Sequence, residues 1–402
     1  MSRSGDLADL WPLDRRLTFL NHGSFGACPA EVLRHQGALR AEMEAEPVRF
    51  LSRELDDRLD AARRPLGAFL GADPDDLAFV NNATSGVNAV LRSLRLEPGD
   101  ELLTTDHAYN ACRNALRFAA ERWGARVAVA DVPFPVGSPV AVADAVMAAV
   151  TPRTRLALLD HVTSATGMIL PIEELIAELG RRGVEVIVDG AHAPGMIPLD
   201  LPALGAGFYS GNCHKWLCAP KGSAFLWVRR DRQPAVRPLT ISHGATAERP
   251  GRSRFHLEFD WTGTDDPTAW LTVPKALEYL GSLVTGGWPA LMARNRQLAL
   301  EARRLLCAAA GSAPACPDAM IGSLASVVLP NGPTSEVAWR RPDPLQRRLF
   351  DVWGIEVPVI SWPAAPRRLL RISAQLYNDR EQYAALARAL AAELVEERAT
   401  GR

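Results

Sequence analysis

The order of periodic segments in this chain of 402 residues predicts an α/β fold, a mainly parallel sheet covered by helices on both faces, followed by a smaller C-terminal α+β domain. Three observations carry that expectation. Short apolar runs alternate with helix-like stretches from about residue 54 to 230. Runs such as Val184–Val188 are apolar almost throughout, as strands buried on both faces are. After residue 266 the alternation gives way to long helical stretches with only two strand-like runs. The expected division is 1–20 as an N-terminal segment packing with the small domain, 21–265 as the large domain, and 266–402 as the small one.

Taken in order, Leu55, Leu59, Ala62, Leu66 and Phe69 step by four and three, one apolar helix face that Gly71 stops. Leu77–Val80 reads as a short strand and Thr84–Leu94 as a helix. Pro98-Gly99-Asp100 is a turn, Glu101–Thr105 a strand and Ala108–Trp123 a helix. Strands follow at Arg126–Val132, Arg155–Val162, Val184–Val188 and Ser223–Val228, with helices at Val140–Val150 and Pro171–Arg182 between them. Arg229–Asp260, rich in Pro, Arg, Ser and Gly, reads as a long surface connection. Thr268–Leu283, Ala290–Ala310 and Asp379–Glu397 read as helices, and Ser323–Leu329 and Leu369–Ser373 as strands.

Composition excludes several function classes. A formal net charge of −1 leaves no basic surface for nucleic acid. The longest apolar stretches fall short of the ~20 residues of a membrane span, and the first residues lack the apolar core of a signal peptide. Six scattered cysteines read as free thiols of a cytoplasmic protein. The Cys213 and Cys218 spacing is not a metal pattern. Neither a Gly-x-Gly-x-x-Gly turn nor a P-loop ending occurs, which argues against a nucleotide enzyme.

The chemistry-bearing residues sit where such a sheet binds ligands, beyond the carboxyl ends of strands. Only three lysines occur, Lys215, Lys221 and Lys275, among many arginines. A lysine amine can lose its proton and attack a carbonyl, which arginine cannot. Lys215 follows the strand-ending acid Asp189 by 26 residues. An acid at a strand end and a lysine on the next loop are what pyridoxal 5'-phosphate requires. A carboxylate keeps the pyridine nitrogen protonated, and the ring becomes an electron sink. His192, three residues beyond Asp189, is placed to reach the ring. Asn81-Asn82-Ala83-Thr84-Ser85-Gly86 opens a helix after a strand, so free N–H groups with the Thr84 and Ser85 hydroxyls can hold a phosphate; the string also reads as an N-cap. Asn212 and His214 add donors. Tyr109 is placed to lie against the ring, with His107 competing for that role. Arg371, inside an apolar strand, calls for a carboxylate partner.

Together these strings resemble the class V branch of the fold-type I pyridoxal phosphate enzymes, which contains aminotransferases, cysteine desulfurases and lyases. The resemblance runs from Leu20-Asn-His-Gly-Ser-Phe-Gly26 to Arg371-Ile-Ser-Ala-Gln-Leu-Tyr377. Ala45-Glu46-Pro47, Asp189-Gly-Ala-His-Ala-Pro-Gly195, His214-Lys215-Trp216-Leu217 and Gly263-Thr264-Asp265 are most similar to the isopenicillin N epimerase-like group. The resemblance implies a large domain with a seven-stranded-type sheet and Lys215 as the Schiff-base lysine. Asp189 becomes the pyridinium partner, and His192 a contact to the ring or its 3-oxygen. Thr84, Ser85, Asn212 and His214 match phosphate ligands, although the family usually has Ser at position 212. Ser164 stands where many desulfurases have an Asn that touches the 3-oxygen. Tyr109 matches the stacking residue and Arg371 the binder of the substrate carboxylate. Asn21, His22 and Ser24 belong to a substrate loop. Thr264 would reach the phosphate of a neighbouring subunit, which implies a homodimer. Desulfurases carry a cysteine shortly before the arginine strand, whereas 353–368 contains none, so persulfide chemistry is not expected. Epimerisation, with Tyr109 or His107 as the acid, leads the expected reactions. A C–S β-lyase follows, then transamination or decarboxylation.

Overall fold

Residues 7–332 and 342–400 are described by a computed structural model. After a two-residue strand, β1 (Thr18–Phe19), come β2 (Leu77–Val80), β3 (Glu101–Thr105), β4 (Arg126–Ala130), β5 (Thr154–Asp160), β6 (Glu185–Asp189), β7 (Phe208–Asn212) and β8 (Ala224–Val228). The last seven form one sheet in the order β2-β8-β7-β6-β5-β3-β4. All its pairings are parallel except those of β8, which runs antiparallel to both β2 and β7. Alternate side chains serve opposite cores, as the two-residue pleat requires. Leu156, Leu158 and Ile187 pack with Val87, Val90 and Leu116 of the helices Ala83–Ser93 and Asn110–Trp123. Ala157, Leu159, Val186 and Val188 share the other face with Val142 and Val146 of the helix Pro139–Ala148 and Leu175 and Leu179 of Ile172–Arg181.

The C-terminal part contributes β9 (Leu324–Val328), β10 (Ile355–Glu356), β11 (Val359–Ser361) and β12 (Arg368–Ser373). β11, β12 and β9 form an antiparallel sheet, packed against the helices Gly287–Ala310 and Arg380–Thr400. β1 pairs in parallel with β10, so the N-terminal segment joins this part of the molecule. No helix among the described residues is long and apolar enough to cross a membrane.

Several elements differ from the expectation. β7 is a strand where polar Ser210, Gly211 and Asn212 break the apolar signal. It is buried nonetheless, because the Ser210 hydroxyl is within hydrogen-bonding distance of the Ala83 and Phe225 carbonyls, both at 3.1 Å. The Arg229–Asp260 connection holds a helix, Arg254–Phe259, whose Phe255 and Phe259 are buried. Arg63 and Arg252 both bind Asp260, tying that connection to the helix Leu55–Leu70. The stretch 268–283 is two helices, Thr268–Leu271 and Val273–Ser282. Neither Ala30–Ala45 nor Pro344–Trp353 was among the expected helices; the first has only a weak periodic signal, whereas the second is amphipathic, with Leu345 and Leu349 on its buried face.

One close approach fixes how the N-terminal loop meets the lysine loop. Gly26 has φ 71°, and a Cβ there would lie 1.9 Å from the His214 carbonyl oxygen. Backbone cannot yield as a side-chain tip can, so Gly26→Ala should cost ~2 kcal/mol or more. Chemical denaturation measures this directly; an unchanged unfolding midpoint would contradict the contact.

Candidate active site

The chain goes from β3 outward to β4, then returns to place β5 on the other side of β3. Loops leaving β3 and β5 therefore diverge and leave a crevice beyond the strand ends. A cavity of about 380 Å³ opens there, within the roughly 300–1,000 Å³ of small-ligand clefts. Asp160 and Asp189 end β5 and β6, Asn212 ends β7, and Tyr109 precedes the helix after β3; all four line the cavity. Asn82 and Thr84 contribute the mouth of the helix Ala83–Ser93, and Lys215, His192, His214, Ser24, Phe25 and Ser164 complete the wall.

Lys215 lies three residues past β7 in a turn closed by Ala219 N–H donating to the Cys213 carbonyl at 3.1 Å. Its Nζ is 3.1 Å from His192 Nε2, and the Trp216 indole N–H donates to His192 Nδ1 at 3.4 Å. An indole nitrogen only donates, so Nδ1 is an acceptor and the neutral ring carries its proton on Nε2. That proton faces Nζ, which can accept it only as a free amine. Electrostatics agree. Burial, with Arg371 assisting, lowers the Lys215 pKa to about 8. Burial pushes His192 well below its ordinary value, with Lys215 adding to the effect.

The opposite end of the cavity is acidic. Asp189 is 3% exposed; Oδ1 accepts the Ala191 N–H and Oδ2 the Cys112 thiol, each at 3.0 Å. Burial raises its pKa, while Cys112, Ala191 and Lys215 favour the anion. The Cys112 thiol is held protonated by burial and by Asp189, which disqualifies it as a nucleophile.

At the helix mouth, Asn82 Oδ1 accepts the Ser85 N–H at 2.9 Å and Asn212 Oδ1 accepts the Ala83 N–H at 2.8 Å. Thr84 and the amide nitrogens of Asn82 and Asn212 are thus the groups suited to hold a phosphate. His214 Nδ1 donates to the Ser223 carbonyl at 2.9 Å, and burial lowers its pKa to about 4. Neutral His214 therefore turns an acceptor nitrogen outward; a neighbouring dianion would favour its protonation and make it a donor.

Arg371 on β12 is buried and donates to the Ser164 carbonyl and, at 2.9 Å, to Ser24 Oγ. Its Nε has no hydrogen-bond partner. Burial lowers its pKa to about 10, Tyr109 opposing. Among the described residues no carboxylate forms an ion pair with it, which leaves the fork suited to a substrate carboxylate.

Four expected site residues are placed otherwise. His107 is buried away from the cavity wall, with Nδ1 2.9 Å from Thr166 Oγ1 and Nε2 donating to the Val132 carbonyl at 3.2 Å. Both nitrogens are occupied, so it is neither ring partner nor acid. His22 braces the lysine loop from behind: Nε2 donates to the Lys215 carbonyl at 3.0 Å, and Nδ1 accepts from the Tyr377 hydroxyl at 2.9 Å. Asn21 accepts from the Ser24 hydroxyl and bonds Glu356, orienting Ser24 rather than meeting a ligand. Ser85 faces a separate cleft beside Phe79 and Trp270. Thr264, expected to serve a neighbouring subunit rather than its own, is exposed and outside this chain's cavity wall. Conversely, Asp160, Asn82, Phe25 and Cys112 were missed. Asp160 was legible, because Leu156-Ala-Leu-Leu-Asp160 repeats the pattern of an apolar run ending in an acid.

These groups fit pyridoxal phosphate: an amine with depressed pKa, an acid held by two donors, and a helix mouth, all on one cavity. The lysine pKa has a measurable consequence in cofactor-free protein. Between pH 8 and 10.5 the unfolded chain holds a proton that folded Lys215 has released, so this group's contribution to stability rises with pH. Lys215→Met should therefore stabilise the cofactor-free protein below pH 8, on the order of 2 kcal/mol, with the gain fading as pH rises. Denaturant titrations at several pH values check this; a pH-independent difference would contradict a neutralised amine.

Comparison with known proteins agrees with the site. The model of the family Aminotransferase class-V matches residues 27–332. An isopenicillin N epimerase of Amycolatopsis lactamdurans is 39% identical over 394 residues, covering 94% of this chain and 95% of that protein. A probable chloroplastic L-cysteine desulfhydrase of Arabidopsis thaliana is 32% identical, covering 90% of this chain and 80% of its own. Among solved structures, a cysteine desulfurase of Escherichia coli superimposes with a TM-score of 0.78 at 22% identity, covering 98% of this chain and 99% of that one. That likeness bears on the fold alone. The chain belongs to the class V aminotransferase family, and its cofactor is pyridoxal 5'-phosphate.

Proposed function

We propose that this enzyme removes and returns the α-proton of an amino acid or peptide-like substrate, an isopenicillin N epimerase-like reaction. The observation that carries the reading is that one cavity holds two proton-transfer groups in complementary states. Lys215 has a depressed pKa and serves as base, whereas burial raises the pKa of the Tyr109 phenol, which keeps its proton to give. The similarity to the epimerase over nearly the whole chain supports the same reaction.

In this mechanism Arg371, held by Ser24 and Ser164, binds the substrate carboxylate and fixes the α-carbon. When bound, pyridoxal phosphate supplies the electron sink that makes the α-proton acidic. Asp189 would be the residue that keeps the ring nitrogen protonated. Lys215 takes the α-proton through its amine, and His192, itself neutral, leaves that amine uncharged. Tyr109 returns a proton to the same carbon; inversion requires that Lys215 and Tyr109 serve its opposite faces. The half-exposed Tyr109 and the exposed Phe25 form an apolar lip where the substrate side chain enters.

The alternative is a C–S β-lyase acting on a cysteine conjugate or sulfoxide, supported by the similarity to the desulfhydrase. It uses the same Lys215 and Arg371 but expels sulfur. The reading also includes a cytoplasmic homodimer in which exposed Thr264 meets the neighbour's phosphate.

Incubation in deuterated water with a panel of amino acids and short peptides decides between them. The epimerase reading predicts solvent deuterium at Cα with inverted product. Pyruvate with a released thiol or sulfenate replaces it with the lyase. A keto acid formed only with an acceptor contradicts both.

A further inference from the structure

β5 and β6 run side by side in parallel, and their last residues, Asp160 and Asp189, are register partners. Both line the cavity, and they are only 2% and 3% exposed. Their hydrogen bonding is unequal. Each oxygen of Asp189 has a donor, Ala191 N–H or the Cys112 thiol. Asp160 Oδ2 has a single backbone donor, the Tyr109 N–H at 3.2 Å, and Oδ1 has no partner at all. Two adjacent buried carboxyl groups do not both ionise readily; they share protons as a pair. The proton belongs on the member whose anion is least supported.

We propose that Asp160 is a proton-bearing partner of Asp189. The pair then presents one negative charge, on Asp189, to the pyridine end of the cofactor. Asp160 carries its proton on Oδ1, the buried oxygen left without a partner among the described residues, and anchors Tyr109 through Oδ2. A second full charge beside the ring nitrogen would be an uncompensated buried anion, whereas a carboxylic acid there still binds and orients. The groups facing Asp160 come from every neighbouring element. Asp189 on β6 raises its pKa, after burial itself; the Tyr109 N–H, Lys215 beyond β7 and Arg113 in the helix Asn110–Trp123 oppose. Cys112 from that helix keeps its proton. His161, next in the chain, hydrogen-bonds the Tyr209 hydroxyl at 2.9 Å. Asp160 is thus a positioning residue for Tyr109 and a binding residue for the ring.

The protonation state is read without turnover, in cofactor-free protein, by infrared difference spectroscopy. Wild type minus Asp160→Asn should show a protonated-carboxyl carbonyl band at neutral pH, and wild type minus Asp189→Asn an ionised carboxylate. A carboxylate band from Asp160, or the protonated band from Asp189, overturns the assignment. Cofactor affinity provides an independent readout. Asp160→Asn keeps a neutral group of the same shape and an acceptor for the Tyr109 N–H. It should bind pyridoxal phosphate within about threefold of wild type, whereas Asp160→Ala should lose about tenfold, ~1.4 kcal/mol. Equal, large losses in both variants would mean that the charge of Asp160 is what binds, and would overturn the proposal. The cofactor arm rests on the pyridoxal phosphate assignment; the infrared arm does not, so the two can fail separately.

Discussion

A lysine amine enclosed beside a neutral imidazole is the constraint that organises this molecule. Among the described residues no carboxylate contacts Lys215 to offset a charge there; His192 stands 3.1 Å away with its own pKa depressed. The same enclosure that makes the charged form costly makes the neutral amine available for covalent chemistry and for taking a proton. The surroundings hold this arrangement in place. Trp216 sets the His192 tautomer, His22 ties down the Lys215 carbonyl, and Gly26 lets the N-terminal loop pack onto the turn without a side chain in between.

Charge is distributed along the cavity rather than cancelled by contact pairs. The acids lie at the ends of β5 and β6, the helix mouth that follows β2 sits against the end of β7, and the guanidinium, on a strand of the other sheet, lies behind Ser24 and Ser164 of the wall. Neutral partners support both kinds of charge: Asp189 accepts from the Ala191 N–H and the Cys112 thiol, and Arg371 donates to the Ser24 hydroxyl oxygen and the Ser164 carbonyl. Charged groups supported this way keep their capacity for a ligand of opposite sign, whereas the ion pairs elsewhere, such as Arg63 with Asp260, are closed.

Most strands of the large sheet were legible from their apolar residues, and Leu77–Val80 and Glu101–Thr105 were located to the residue. β7 was not, because Ser210, Gly211 and Asn212 are polar for reasons that only the neighbouring helix supplies: Ser210 meets the Ala83 carbonyl, and Asn212 the Ala83 N–H. Lys215, Asp189, His192, Thr84, Asn212, His214, Tyr109 and Ser164 do converge on one cavity. His107 and His22 do not, because a histidine beside a motif carries no sequence mark of which way its ring turns. Asp160 repeats the strand-end pattern of Asp189, but no sequence mark shows that these two strand ends lie side by side.

Reductive trapping tests the centre of this account most directly. Treating the purified holoenzyme with borohydride and mapping its peptides by mass spectrometry should place one pyridoxyl-phosphate adduct on Lys215. An adduct on Lys221 or Lys275 instead, or none on a protein that has taken up the cofactor, would contradict it.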